Sequence, residues 1–222
     1  TQETAAVFIE PVMGEKGYVP CSKAYLYALR KRCNETGTLL VFDEIQTAYG
    51  RTGEWFAFQS YGVVPDVLVL AKSFGGGLPL GAFISSYKMM HCLTHHPVLG
   101  HITTFGGNPV SCAAGNAALE VLLQENWMNE VKEKEQILLE QLTHSAIVHQ
   151  NHMGLWMSLQ FVSAELTKKV AAACIQNGII TDWFLFAEDR IRIAPPLCIT
   201  KEELKKAIAT IQLSINQALN NE

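Results

Sequence analysis

Several common signatures are missing from this chain, and each absence narrows its class. Its six cysteines, Cys21, Cys33, Cys92, Cys112, Cys174 and Cys198, form no Cys-x-x-Cys pair and keep no regular spacing. That argues against a disulfide framework and for idle or buried thiols in a reducing compartment. No apolar run reaches the roughly 18 residues of a membrane span. Basic residues are neither in excess nor clustered, the formal net charge being -4, so no nucleic-acid footprint is present. The opening TQETAAVF carries neither an initiator Met nor a basic segment, so no signal peptide is read and the expected setting is the cytoplasm. Because TAAVFIEP reads as a strand already inside a sheet, the chain is expected to be the C-terminal portion of a longer protein. Neither an internal repeat nor a low-complexity tract occurs.

What is present is a core-forming composition, 49% hydrophobic and 17% charged over 222 residues, too apolar for disorder. Ala5 to Glu10 reads as a buried strand closed by Pro11. GEKGYVP follows as a loop, and Ser22 caps a helix that Gly37 stops. Leu39 to Phe42 is the next strand, completing a parallel crossover unit. Val67 to Ala71 and AFIS (Ala82 to Ser85) add two more. A helix from Val110 breaks near Asn126 and runs on to about Leu142. Beyond it, LWMSLQF, Ile179–Ile180 and RIRIAPP read as strands, LTKKVAAACIQNG as a helix, and Thr200 with Glu203 as a capping box for a last helix. The expected class is α/β, with a change of domain within residues 125–145.

The richest stretch is Leu39 to Gly81. Two apolar runs each end in a charged residue, LLVF in Asp43 and VLVLA in Lys72. In a parallel sheet, ligands sit beyond the carboxyl ends of strands, so an acid and a lysine there can face one ligand. Partial desolvation is expected at both, and it makes a lysine a competent amine nucleophile able to form a Schiff base. Pyridoxal phosphate is the common aldehyde cofactor of that kind, and it calls for a carboxylate at its ring nitrogen. On pattern alone, Asp43 as a helix cap and Lys72 as a surface lysine remain an open alternative. Nucleotide binding is not supported: a P-loop places its lysine after the glycines, whereas Lys72 precedes Gly75, Gly76 and Gly77. His91, His95, His96 and His101 keep no zinc-like spacing with a Cys or carboxylate, so no metal site is expected and the stretch reads as a surface loop.

Six motifs in order then carry a resemblance: D-E-I-Q-T, G-R-T-G, P-D, A-K-S-F-G-G-G-L-P-L-G, T-T-F-G-G-N-P and R-I-A-P-P. Together, from about Ala5 to about Ile211, they resemble the class III (omega-amino acid) aminotransferases of the fold type I pyridoxal phosphate architecture. The resemblance implies part of a large, mainly parallel-sheet domain over residues 1–127 and a small C-terminal α/β domain over 128–222. It implies pyridoxal 5'-phosphate as cofactor, Lys72 as Schiff-base lysine and general acid/base, and Asp43 on the pyridine nitrogen. Ile45 would pack on the ring face and Gln46 would bond near the phenolic oxygen. Thr104 would reach the cofactor phosphate of a neighbouring subunit, implying a homodimer with shared active sites. Glu15 and Arg192 match a glutamate–arginine pair of the ornithine, acetylornithine and 4-aminobutyrate branches. In that family logic the pair shields the arginine while an omega-amino donor reacts, and opens for the second carboxylate of 2-oxoglutarate or glutamate.

Relative to that family, the first half of the large domain is missing from these residues. With it go the phosphate-binding turn, the ring-stacking aromatic and an arginine for the α-carboxylate, so the chain alone is expected to be inactive. Ala48 stands where the family usually has glycine. Alternatives kept open are an aminomutase, a decarboxylase or racemase using the same lysine, and a catalytically silent fragment.

Overall fold

The computed structural model describes residues 1–98 and 100–220. In chain order the elements begin with β1 (Ala6–Ile9), β2 (Val12–Met13), β3 (Val19–Pro20), α1 (Lys23–Thr36) and β4 (Leu39–Asp43). They continue with α2 (Ala57–Tyr61), β5 (Val67–Leu70), β6 (Ala82–Ser85), α3 (Tyr87–His91) and α4 (Pro109–Gln124). The last group is α5 (Trp127–Gln141), β7 (His149–His152), β8 (Met157–Gln160), α6 (Ala164–Gln176), β9 (Trp183–Phe184), β10 (Ala187–Ile193) and α7 (Lys201–Asn220). The chain divides into two compact units, and the division is not linear. One holds Thr1–Pro11, Cys21–Tyr49 and Glu54–Asn126; the other holds Val12–Pro20, Gly50–Gly53 and Trp127–Glu222.

The first unit is built on a four-stranded sheet in the order β1-β4-β5-β6. β1 and β5 both run parallel to β4, and β6 is antiparallel to β5. Local chemistry sets the boundaries. Ser22 Oγ accepts from the Tyr25 N–H to start α1, and Gly37, in the left-handed region, ends it. Asn108 caps α4, whose first residue is Pro109. The central strands are buried through Leu40, Val41, Phe42, Val67, Leu68 and Leu70. β1 is not the buried strand that its apolar run suggests. It lies at the sheet edge with Phe8 72% exposed.

Asp66 organises the entry side of this sheet. Its Oδ2 accepts from the Leu40 N–H at 2.7 Å and from Arg30 Nη1 at 2.8 Å, and its backbone carbonyl accepts from Ser85 Oγ at 2.6 Å. One residue thus ties β4, α1 and β6 to the start of β5.

The second unit packs α5, α6 and α7 against an antiparallel sheet ordered β7-β8-β10-β9. Leu155, Met157, Leu159 and Ile191 meet Val170, Cys174, Leu204, Ile208 and Ile215 in its core. At the start of α7, Thr200 Oγ1 accepts from the Glu203 N–H and Glu203 Oε2 accepts from the Thr200 N–H, a reciprocal capping box. The Ile179–Ile180 pair, expected to begin a strand, lies in an irregular segment with Ile180 almost fully exposed, and pairing starts at Trp183. Two apolar residues are too short a run for their type to be fixed by pattern.

The remaining hairpin, β2–β3, carries Glu15 in its loop and is fixed to β7 and β8. Gly17 C=O accepts from Ser158 Oγ at 2.7 Å and Asn151 Nδ2 at 2.9 Å. Gly17 has φ +94°, and a Cβ there would lie 2.7 Å from Arg190 Cδ, so the loop approaches the sheet only through a glycine.

Candidate active site

In the first unit, β4 ends at Asp43 and β5 ends two residues before Lys72. The strands are parallel neighbours with Asp43 opposite Val69. Both charged residues therefore leave the sheet at adjacent carboxyl ends, where open α/β sheets bind ligands. Asp43 is half-buried, and its Oδ1 accepts from the Ile45 N–H at 3.0 Å, which holds the carboxylate over the first turn of the following loop. Ile45 and Gln46 lie half-buried in that loop.

Lys72 is exposed, against the expectation of partial desolvation. The shielding strand stops at Leu70, and Lys72 already begins a 3-10 turn, Lys72–Gly75. Its φ of +52° is uncommon for a residue with a side chain and marks a position imposed by its surroundings. The glycines after it serve packing. A Cβ at Gly76 would fall 2.3 Å from the Ala114 carbonyl oxygen, and one at Gly115 would fall 2.6 Å from that of Phe74. The turn can press against α4 only because both positions lack side chains. Thr104 lies on the surface in the turn before α4, outside the sheet that juxtaposes Asp43 and Lys72.

Glu44, next to Asp43, is a positioning acid that nothing in the sequence pattern singles out. It is fully buried, and its carboxylate accepts from the Ala57 N–H (2.6 Å), the Phe58 N–H (2.8 Å) and Thr47 Oγ1 (2.9 Å). Burial pushes its pKa up, while the two backbone N–H groups and the Thr47 hydroxyl pull it down. Asp43 and Glu44 alternate in direction, as successive strand-end residues do. One is half-buried and the other locks α2 to the end of β4.

In the second unit, Arg192 Nη2 and Nη1 face Glu15 Oε2 and Oε1 at 3.2 and 3.4 Å. The guanidinium lies over the Phe184 ring, 4.7 Å from its centroid, and Nη2 donates to the Trp183 carbonyl at 2.8 Å. Behind it, Tyr18 stacks on Trp156 at 4.1 Å and meets Phe184 edge-on at 4.7 Å. Burial pushes the Tyr18 hydroxyl up to about 12, with Arg192 and Arg51 opposing, so it stays neutral at physiological pH. Arg51, the arginine of G-R-T-G, is another residue sequence reasoning left without a role. Its Nη1 donates to the carbonyls of Leu155 (3.0 Å) and Pro195 (2.6 Å), joining the segments before β8 and after β10. Burial lowers its pKa.

The family model for aminotransferase class-III matches residues 1–215. The chain belongs to the class-III aminotransferases. It is 38% identical to the succinylornithine transaminase of Yersinia pseudotuberculosis serotype O:1b (strain IP 31758), over 98% of this chain and 53% of that protein. Among solved structures it is similar to the ornithine aminotransferase from Toxoplasma gondii ME49, with TM-score 0.91, 30% identity, and coverage of 100% of this chain and 53% of that one. It also resembles the Plasmodium falciparum ornithine delta-aminotransferase, with TM-score 0.88, 31% identity, and coverage of 98% and 58%. The chain spans about half the length of the curated relatives it matches. A mixed α/β architecture with a mainly parallel sheet, shared with these aminotransferases, is the type I fold.

Among the described residues no group of His, Cys, Asp and Glu is placed to hold a metal ion, and His91, His95, His96 and His101 are exposed. No helix of the described residues is long and apolar enough to cross a membrane.

Proposed function

We propose that this chain supplies one half of a transaminase site that moves the amino group of an ornithine- or acetylornithine-like donor to 2-oxoglutarate. The observation that carries the substrate class is the Glu15–Arg192 pair, a carboxylate held against an arginine fork. An arginine fork recognises a carboxylate through paired contacts, and a glutamate already on it withholds that contact from a mono-acid end. The donor's omega-amine therefore reacts with the pair closed, and a dicarboxylate displaces Glu15.

Pyridoxal 5'-phosphate fits the residues present, because an amine and a half-buried carboxylate leave adjacent strand ends. When bound, it supplies an aldehyde for covalent capture of amines and an electron-withdrawing ring. Lys72 Nζ holds the cofactor and moves a proton to and from the donor carbon. The Asp43 carboxylate would keep the proton on the ring nitrogen. Ile45 and Gln46, in the loop that follows, would hold the ring from its face and its edge. Thr104, exposed on its turn, serves the phosphate site of a second subunit, making the working enzyme a homodimer with shared sites. The six free thiols support a reducing, cytoplasmic setting.

A labelling experiment tests this reading. With ω-15N-ornithine and 2-oxoglutarate, the label appears in glutamate. Label that stays on the donor skeleton would instead make the enzyme an aminomutase or racemase, and loss of carbon dioxide a decarboxylase. Glu15→Ala is expected to raise kcat/KM for glutamate relative to ornithine about tenfold, the worth of one charge-assisted contact. An unchanged ratio removes the gate.

A further inference from the structure

We infer that the turn joining β9 and β10 is a latch that sets the donor preference of this enzyme, acting through the backbone N–H of Leu185. The inference rests on the reading of Glu15 and Arg192 as a substrate gate and adds what holds that gate shut.

Both partners of the pair are anchored on this one hairpin, but unequally. Arg192 belongs to β10. Its Nη2 donates to the Trp183 carbonyl at 2.8 Å, and its guanidinium rests on the Phe184 ring. Its contacts to Glu15 are longer, 3.2 and 3.4 Å, and beyond the 2.7–2.9 Å usual for a tight charged pair. Arg192 therefore keeps its place when Glu15 leaves. Glu15 is also tied to the turn twice: its Oε2 accepts from the Leu185 N–H at 3.2 Å, and its backbone carbonyl accepts from the Phe186 N–H at 3.1 Å.

The backbone tie fixes where Glu15 is anchored, and the side-chain tie fixes which way its carboxylate points. Opening costs little beyond these bonds. Leu185 is well exposed, so its N–H is met by water once the carboxylate swings away, and no buried donor is orphaned. The Leu185 N–H is thus a contact that, together with Arg192, biases the Glu15 carboxylate toward the closed, omega-amine-selective state.

The turn also permits a clean test. Leu185 and Phe186 form a two-residue connection, and neither is among the positive-φ residues of the described chain. Proline is compatible with a first turn position at negative φ and with an extended residue before it, which Phe184 is. Leu185→Pro removes the N–H and little else.

In the full enzyme that carries this chain, loaded with pyridoxal 5'-phosphate, two readouts are taken. One is the ratio of kcat/KM for glutamate to that for ornithine. The other is the Kd of glutarate, an inert dicarboxylate, by calorimetry. L185P is expected to raise the ratio roughly threefold to tenfold and to tighten glutarate by a similar factor. L185A, which keeps the N–H, restores wild-type values. In an E15A background, L185P adds nothing. If E15A moves the ratio and L185P does not, the latch is wrong and the gate stands. If E15A leaves the ratio unchanged, the gate reading fails and the latch falls with it. Should L185P not fold, amide exchange in the unmutated enzyme decides. Saturating glutarate must speed exchange at Leu185 while Phe186 stays protected, and an unchanged Leu185 amide overturns the latch.

Discussion

The two units treat their charged residues in opposite ways. In the second unit the Glu15–Arg192 ion pair is complete within the unit: Glu15, Arg192, the Phe184 ring, the Trp183 carbonyl and the Leu185 N–H all come from its own segments. In the first unit, Lys72 stands exposed at a strand end, Asp43 is only half-buried, and apolar side chains such as Phe8, Phe83, Phe105 and Val110 face outward. The difference teaches that the pair proposed to set specificity is pre-built in one unit, whereas the desolvation that the proposed role of Lys72 calls for is not supplied by the other. A lysine nucleophile needs a dry, low-dielectric setting, and the strand that leads to Lys72 ends too early to give it.

The largest expected effect tests the chemical half of that contrast. Lys72→Ala should lower transamination by about 10²–10⁴-fold, the range for loss of a proton-transferring group, with an unaltered circular dichroism spectrum. Retained activity would end the assignment.

Packing gives the next test. Leu159→Ala, in the closed core of the second unit, should cost about 2–5 kcal/mol in urea unfolding. Phe8→Ser, on the open edge of the first, should stay within about 0.5 kcal/mol. If both cost the same in the working enzyme, the open edge is covered there and the contrast belongs to this chain alone.

A smaller loss, about 1–3 kcal/mol, is expected for Gly154→Ala. Gly154 has φ +64°, and a Cβ there would lie 2.5 Å from the Arg51 carbonyl oxygen and 2.7 Å from Thr52 backbone atoms. None of these can move without shifting the chain. A wild-type melting temperature would show that the G-R-T-G segment is looser than its contacts imply.

The smallest effect is electrostatic. A hydrogen bond from His152 Nδ1 to Glu135 Oε1 at 2.8 Å raises the histidine pKa. A raised pKa stabilises the fold fully below the unfolded value of about 6.5, and that stability fades as pH rises through the folded value. The pair is partly exposed, so its worth is about 0.5 kcal/mol or less. His152→Asn should lower the urea midpoint at pH 5.5 and leave it unchanged at pH 8.

Much of this was legible in the sequence, for local reasons. Ser22 before a helix, Gly37 after it and the Thr200–Glu203 box announce boundaries through side-chain chemistry that acts within four residues. Apolar runs ending in Asp43 and Lys72 placed both at strand ends, since a parallel sheet orders its termini. What pattern cannot carry is partnership at a distance. Glu44 and Asp43 are identical in kind, and only the fold shows that one is sealed by Ala57 and Phe58. Arg51 reads as a loop charge until Leu155 and Pro195 meet it. β1 reads as buried because its composition is apolar, yet edge position is a property of the sheet and not of the strand. Nor does a linear reading reveal that Val12–Pro20 belongs with residues more than a hundred positions later.

That last feature has a temporal side. The Gly17 carbonyl waits for Asn151 and Ser158, 134 and 141 residues further along the chain. At a synthesis rate of about 5–20 residues per second, the loop that carries Glu15 spends roughly 7–30 s without its partners. The charge proposed to select the substrate is thus made well before the strands that hold its loop in place.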